Sequence, residues 1–329
     1  MTKTCVGLRE IQDAVHLACR APSYHNSQPW NWVLSSGVLQ LFVDPDYRVC
    51  TDNSGRQTLL SCGAALDHLR AAMAADGWEA HIERFPNPVN HNHVANIEFS
   101  AAPAVTLAQR RYPAAIGSRH TDRLPFGPVA DWPAFEAVLR VALGNRAAYV
   151  DVLAPEQRAE LADASDLAEV LRLYDTAYHA ELNWWTTPFG TTTGIPHSAL
   201  VSAAESDRVD IGRLFPVTHN RERRTGLGDD QSTVVAISAV GNTPADILMC
   251  GEALSVVLLE ATMAGLSTCV LTHMTEHAAT AAVISTLTGH DSPQVLVRIG
   301  QAPALDQLPP PTPRRPLSDV FHHRMSENE

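Results

Sequence analysis

The chain has 329 residues, of which 45% are apolar and 18% charged, and its 24 basic and 36 acidic residues give a formal net charge of −12. This length corresponds to about two average domains. The composition excludes a disordered, collagen-like or coiled-coil protein. The negative charge disfavours nucleic acid and anionic membrane surfaces as partners, because both would repel the chain.

Lysine is almost missing from the chain. Lys3 is the only lysine, and every other basic residue is an arginine. A phosphate-binding loop with its lysine, a pyridoxal-phosphate Schiff base and a lysine general base are therefore excluded. An anionic ligand would have to be bound by guanidinium groups and backbone N–H groups.

The cysteines and the apolar segments indicate a cytoplasmic protein. The six cysteines are scattered without a C-x-x-C pair, which favours buried thiols in a reducing compartment over disulfides or a zinc site. Residues 1–10 contain no apolar core of a signal peptide. The apolar stretch 251–271 has Glu252 and Glu260 in its interior, which favours a core helix over a membrane span. His91 and His93 have the spacing of two strand ligands, but they lack a local third ligand, so no metal centre is expected.

Hydrophobic periodicity predicts a regular set of elements in the first third of the chain. An amphipathic helix over 8–20 is followed by two strands, 30–34 and 39–43, that flank the turn Ser35-Ser36-Gly37. A long helix over 56–76 ends at Gly77, and 93–99 is a strand.

The rest of the chain is less regular. We expect a helix over 135–142, a strand over 148–153, a long helix over 156–183, and strands over 234–238 and 294–299. Between them, 184–230 has little periodicity, which is typical of a lid, a binding loop or disorder. The proline-rich stretch 309–316 predicts an extended arm.

Two segments of the chain resemble each other. Residues 62–66 read Cys-Gly-Ala-Ala-Leu and residues 250–254 read Cys-Gly-Glu-Ala-Leu, and the glycines that follow, Gly77 and Gly265, keep the same offset of 188. An internal duplication would make the two halves pack as a pseudo-twofold pair. Two unrelated helices rich in alanine and leucine are the alternative.

Two polar segments are candidates for a binding site. Residues 21–30 read Ala-Pro-Ser-Tyr-His-Asn-Ser-Gln-Pro-Trp. This pattern predicts the end of a helix, a polar turn and the start of a strand. The polar side chains of the turn either bind a ligand or form hydrogen bonds with their own backbone. In an extended segment Arg119, Thr121 and Arg123 point the same way and suit a phosphate with a nearby carbonyl. A solvated loop is the alternative there, and Arg314-Arg315 either clamps a phosphate or lies in solvent.

These segments resemble the flavin-dependent nitroreductase family. Pro22-Ser-x-x-Asn26-x-Gln28-Pro29-Trp30 is similar to the signature turn of that family, and Ile116-x-x-Arg119-x-Thr121-x-Arg123-x-x-Phe126 to its opening arginine segment. Residues 251–267 resemble its central helix, and 297–300 with 313–317 its C-terminal end. Ordinary members place the arginine segment before the turn and form homodimers. Here the order is reversed, which resembles the duplicated, single-chain Acg-like group of mycobacteria.

The resemblance implies an α+β fold of two fused halves, each a small, mostly antiparallel sheet flanked by helices, packed as a pseudo-dimer. The first half would cover 1–113 with the turn at 21–30. The second would cover 114–329 with a lid-like insert at about 184–230 and a C-terminal arm at 309–329. The first half lacks its own arginine segment, and the second has Leu143-Gly144-Asn145-Arg146 in place of a turn. One composite site would remain in a chain that acts as a monomer.

The resemblance also implies the cofactor FMN and its binding residues. Arg123 would face the N1 and C2-carbonyl end of the ring, where classical members often have lysine. Arg119 with Arg314 or Arg315 would bind the phosphate, and Thr121 the phosphate or ribityl chain. The backbone groups of Leu271, Thr272 and His273 would lie near N5. The signature turn of the other half would contribute Pro22, Ser23, Asn26 and Gln28. His273 is a further, weaker candidate as proton donor.

The implied reaction is ping-pong hydride transfer from NAD(P)H to a nitroaromatic or quinone acceptor, with no catalytic side chain. The alternative is a flavin-sequestering protein with little turnover, in which the insert, with its aromatic residues Trp184, Trp185 and Phe189, stays closed over the ring.

Overall fold

A computed structural model describes residues 5–187, 192–216, 218, 221–305 and 310–324. The strands are β1 (Trp30–Ser35), β2 (Val38–Val43), β3 (Trp78–Arg84), β4 (His93–Ala101), β5 (Ala148–Val152), β6 (Thr233–Ala239), β7 (Ser267–Leu271), β8 (Pro293–Gly300) and β9 (Phe321–Arg324). The helices are α1 (Leu8–Ala18), α2 (Arg56–Ala75), α3 (Tyr112–Ser118), α4 (Trp132–Leu143), α5 (Arg158–Arg172), α6 (Thr176–Trp185), α7 (Ala203–Ser206), α8 (Pro244–Met263), α9 (Ala278–Thr288) and α10 (Leu317–Val320).

The fold is α+β, with two sheets that are each flanked by helices. The first sheet has the order β3-β4-β2-β1-β9 and the second the order β5-β6-β8-β7. Apart from β9, which lies parallel to β1, all pairs are antiparallel. No helix in the described ranges is long and apolar enough to cross a membrane.

The two sheets share one arrangement of their elements. In the first, the order along the chain is α1, β1, β2, α2, β3 and β4, and in the second it is α4, β5, β6, α8, β7 and β8. When these elements are matched one to one, both sheets have the same strand order. The loops differ: Ser36 and Gly37, both with positive φ, close β1 and β2 as a tight hairpin, whereas residues 153–232 separate β5 from β6.

Helices α2 and α8 cross at a pair of glycines in the centre of the molecule. A Cβ atom on Gly63 would lie 2.1 Å from the carbonyl oxygen of Leu248, and one on Gly251 would lie 2.2 Å from that of Leu60. Gly63 and Gly251 are 188 residues apart, and so are Leu60 and Leu248. The contact is therefore reciprocal, which is the pattern that a twofold axis generates.

Most of the predicted elements are confirmed to within a few residues, but two expectations are wrong. The helix expected over 156–183 is broken, because the carboxylate of Asp175 accepts a hydrogen bond from the backbone N–H of Tyr178 and begins a new helix there. The apolar stretch 251–271 is not one helix, since α8 ends at Met263 and β7 follows. Segment 184–230, whose alternatives were a lid, a binding loop or disorder, includes the short helix α7.

The C-terminal arm does more than extend along the surface. Residues 310–316 carry no helix or strand, but α10 and β9 follow, and β9 adds a parallel strand beside β1. Val320 and Phe321 are buried in the core of the first sheet. The arm therefore joins residues 321–324 to β1 by strand pairing. The sequence patterns did not predict this pairing.

The glycine contact predicts a large loss of stability in the variant Gly63→Ala. The added methyl group meets a backbone oxygen that has no rotamer to move into, so the free energy of unfolding should fall by about 3 kcal/mol or more. Gly117→Ala is the matched control, because a Cβ there meets no atom within 4 Å and alanine favours the helix. Urea denaturation of both variants measures the difference; equal stability would contradict the close approach.

A buried histidine beside this contact predicts how stability depends on pH. His68 is fully buried, and burial, followed by the charge of Arg119, lowers its pKa to about 3. Between pH 6.5 and 3 the unfolded state binds a proton that the folded state does not, so His68 makes stability fall with decreasing pH by about 1.4 kcal/mol per pH unit. His68→Gln should flatten that slope by this amount in urea titrations at pH 6, 5 and 4. An unchanged slope in this variant would contradict the prediction.

Candidate ligand-binding site

A cavity of about 440 Å³ lies where the two sheets' helices, the segment 184–230 and the C-terminal arm meet. Its walls come from the turn after α1, the end of α3, the C-terminal end of β7, and the N-terminal part of α2. Nine of the twelve predicted binding residues line it: Pro22, Ser23, Asn26, Arg119, Thr121, Arg123, Leu271, Thr272 and Arg314.

The turn after α1 has an unusual backbone. His25, Asn26 and Gln28 have φ values of 51°, 57° and 55°, in the left-handed region that non-glycine residues rarely adopt. The turn is held by a hydrogen bond from the Gln28 N–H to the Ser23 hydroxyl (3.0 Å), and the Asn26 amide donates to the carbonyls of Gly194 (2.9 Å) and Pro313 (3.2 Å). The strained turn thus connects the insert and the arm at the cavity wall.

The arginine segment runs along the edge of the second sheet. Thr121 forms a parallel bridge with Thr268 of β7, and the Asp122 N–H donates to the Thr268 carbonyl (2.9 Å). Because alternate residues of an extended segment point the same way, Arg119, Thr121 and Arg123 all line the cavity.

Two arginines lie side by side at the C-terminal end of α1, and of these Arg119 is buried and Arg314 is half-buried. The Arg119 Nη2 group donates to the Arg20 carbonyl (3.1 Å), and Arg314 donates to the carbonyls of Cys19 (2.9 Å) and Arg20 (3.1 Å). Neither has a carboxylate partner among the described residues, and Nε and Nη1 of Arg119 are buried without a hydrogen bond. Burial lowers the pKa of Arg119 to about 10, and the charge of Arg20 adds to the effect. Burial lowers the pKa of Arg314 to about 9, and the charges of Arg119 and Arg20 add to that effect.

Most other arginines of the cavity are neutralised by acids. Arg213 pairs with Glu276, Arg298 lies 2.8 Å from Asp230, and Arg223 lies 3.7 Å from Glu205. Arg123 differs, since within the described part of the chain it has no carboxylate partner. Its guanidinium donates to the Ala199 carbonyl (3.3 Å) and lies 4.8 Å from the centre of the Phe215 ring. Burial lowers the pKa of Arg123, although nearby Cys269 and Asp122 act in the opposite direction.

Three predicted residues do not line the cavity. The Gln28 side chain donates to the Thr192 carbonyl (2.8 Å) and accepts from the Arg315 N–H (2.9 Å). The Arg315 guanidinium pairs with Asp44 (3.0 Å) and lies over the Tyr47 ring, so it anchors the arm and Arg314 alone faces the cavity.

His273 is the third residue outside the cavity. Its Nε2 atom lies 2.9 Å from the Ser165 hydroxyl, and burial lowers its pKa to about 3. The ring is therefore neutral, and its side chain is not in a position to donate a proton into the cavity.

The aromatic residues of the insert are placed differently from the expectation. Trp184 is 74% exposed and, with Trp185, lines a second pocket beside α6 instead of the main cavity. Phe189 lies outside the described residues. Among the described residues of the insert, the aromatic residue that lines the cavity is Phe215.

Sequence reasoning missed several residues of the cavity wall. Tyr24 and His25 lie inside the recognised turn, where the resemblance marked only the residues around them. Arg213 and Phe215 lie in the insert, where no motif or periodicity pointed to them, and their place depends on tertiary contacts such as the ion pair with Glu276.

Comparison with known proteins gives relatives over the whole chain. No model of a known protein family matches it. A Mycobacterium tuberculosis H37Rv protein with the provisional name NAD(P)H nitroreductase Acg is 52% identical over 330 residues, which cover 100% of both chains. An uncharacterized protein of the same strain is 49% identical, with 96% of this chain and 94% of the relative covered.

Among solved structures, the FMN-dependent nitroreductase NfnB from Mycobacterium smegmatis, in complex with NADPH, aligns at 17% identity with a TM-score of 0.38. The alignment covers 65% of this chain and 96% of NfnB, and its values are too low to bear on function. The relatives in M. tuberculosis are decisive because they match from end to end. The chain belongs to the Acg-like family of NAD(P)H nitroreductase relatives.

Proposed function

We propose that the protein binds FMN in the 440 Å³ cavity and acts as an NAD(P)H-dependent oxidoreductase. One observation carries the proposal: the turn at Pro22–Asn26 and the arginines of the segment 119–123 line a single cavity. Bound FMN would supply the redox chemistry, which is hydride transfer from NAD(P)H and then to a nitroaromatic or quinone acceptor in a ping-pong sequence.

Arg119 and Arg314 fit a phosphate group. Arg119 is buried and Arg314 is half-buried, and neither has a carboxylate partner in the described ranges. Two nitrogens of Arg119 are buried without a hydrogen bond. A phosphate would neutralise the two charges and accept from the free nitrogens, as guanidinium groups favour. Thr121 lies between the two arginines of its segment, where its hydroxyl would bind the phosphate or the ribityl chain.

Arg123 would lie at the pyrimidine end of the flavin ring. Arg123 is half-buried and lacks a carboxylate partner among the described residues, and its guanidinium contacts the Ala199 carbonyl and the Phe215 ring. A fixed positive charge at N1 and the C2 carbonyl stabilises the negative charge that reduction brings there. Pro22, Ser23 and Asn26 would contact the cofactor from the opposite wall, and the backbone at Leu271 and Thr272 would lie near N5.

The remaining three predicted residues receive indirect roles. Gln28 and Arg315 would position the site, since they join the turn, the insert and the arm. His273 would act only through its backbone.

We also propose that the chain is an internal duplication with halves at 1–113 and 114–329, and that it works as a monomeric pseudo-dimer. The equal strand orders and the reciprocal glycine contact at an offset of 188 support this. The turn comes from one half and the arginine segment from the other. A duplicated chain of this kind would contain one composite flavin site.

A second candidate function is flavin sequestration, in which segment 184–230 acts as a closed lid. Its support is the number of bonds that hold the insert at the cavity wall. Asn26 donates to Gly194, Arg123 to Ala199, and Arg213 pairs with Glu276. An insert held in this way would slow the entry of NAD(P)H and of acceptors.

The phosphate assignment predicts that inorganic phosphate stabilises the FMN-free protein. Phosphate at 100 times its Kd would raise the free energy of unfolding by about 2.7 kcal/mol, and Arg119→Gln should remove this gain. Arg9→Gln, an exposed arginine on α1, is the control and should keep it. Thermal unfolding over a phosphate series at constant ionic strength measures the effect, and an equal response in both variants would count against the site.

Anaerobic titration of the FMN-loaded protein with NADPH separates the two functions. Bleaching of the flavin absorbance within seconds is the result expected for an oxidoreductase. If bleaching is slow in the wild type and fast in Phe215→Ala, the insert is a barrier and sequestration is the better account. Trp184→Ala, which lies off the cavity, is the control and should match the wild type. A protein that takes up no FMN would end both proposals.

A further inference from the structure

His25 occupies an unusual place in the cavity wall. Its ring centroid lies 4.0 Å from that of Tyr24 and 6.4 Å from that of Phe215. It is only 7% exposed and lines the cavity, and neither ring nitrogen has a hydrogen-bond partner among the residues that the structure describes. The backbone of His25 is left-handed, with φ 51°, and this conformation directs the imidazole towards the cavity.

Positive charge surrounds the imidazole. Arg213 lies over the Tyr24 ring (5.5 Å) and Arg123 over the Phe215 ring (4.8 Å), so each ring beside His25 also has a guanidinium over it. The other charged groups that act on it are Glu276, which favours protonation, and Arg172, which opposes it. Burial together with these charges lowers the pKa of His25 to about 3, so the imidazole is neutral while the cavity holds no anion.

A negative charge near Arg123 would change this balance. Arg123 and Arg213 repel a proton on His25, and an anion in contact with Arg123 would offset that repulsion. Opposite charges within several ångströms shift a pKa by about 1 to 3 units. The charge that reduction brings to the pyrimidine end of the flavin is of this kind.

We propose that His25 is a proton relay for the acceptor half of the reaction, and that it takes up its proton only after the flavin has been reduced. The inference rests on the proposed function. For a quinone, the acceptor gains a hydride from the reduced flavin and one proton from the imidazolium, which yields the hydroquinone. The imidazole returns to its neutral form, and the proton it gave had come from solvent during reduction.

The relay is tested by counting protons rather than turnovers. FMN-loaded protein is reduced photochemically without oxygen, with the same electron donor in every sample, in a weakly buffered solution at pH 5. At this pH a rise of about two units from a pKa of about 3 makes His25 half protonated, and an indicator dye reports proton uptake per flavin. The wild type should take up more protons than His25→Asn, since asparagine tolerates the left-handed backbone but does not titrate. His68→Gln removes another buried neutral histidine, one that contacts the Ser255 hydroxyl and does not line the cavity, and should equal the wild type.

Imidazole NMR of the wild type provides a measurement that does not depend on the variant's folding. The His25 resonance, assigned by its loss in His25→Asn, should show a pKa that rises by about two pH units when the bound flavin is reduced. Bound flavin with an unchanged His25 pKa and equal proton counts would overturn the relay and leave the proposed function intact. Failure to bind FMN would overturn both.

Discussion

The contact between Gly63 and Gly251 is the constraint on which the rest of the structure depends. It brings α2 and α8 to backbone contact, and each helix packs on a different sheet core. The cavity lies beside this crossing, since Leu60 and Ser61 of α2 and Leu254 of α8 form part of its wall. A larger residue at either glycine would push α2 and α8 apart. The turn at residues 22–26 and the arginine segment at residues 119–123 would then also move apart.

The second constraint is electrostatic. A chain with a net charge of −12 still concentrates arginines around one cavity. Acids neutralise Arg213, Arg223 and Arg298, so these arginines hold the insert and the β7 end together. Arg119, Arg123 and Arg314 keep uncompensated charges within the described residues, and burying a cation without a partner is costly. A bound anion would offset that cost, so the free energy of unfolding would be higher with the anion bound than without it.

Local patterns predicted the elements of the first sheet well, because each has a clear signal: the Ser36-Gly37 turn, the glycine after α2 and the alternation in β4. Local patterns did not predict the features that depend on contacts between distant parts of the chain. Nothing local predicts that β9 pairs with β1, and the capping carboxylate of Asp175 was hidden inside a continuous helical pattern.

In the site, the resemblance identified Arg119 and Arg123, which line the cavity. It also included Gln28 and Arg315, whose polar groups are used by the protein itself. Tyr24, His25 and Phe215 were missed, because their roles arise only when the insert packs against the turn.

The parallel pairing of β9 with β1 has a consequence for how the protein matures. The first sheet lacks the strand beside β1, and the cavity lacks Arg314, until residues 310–324 have been synthesised and have left the ribosome. The cavity wall is therefore completed late, by a contact between segments with high sequence separation. A shorter nascent chain exposes β1 as an unpaired edge, and its cavity is open on the side that the arm closes.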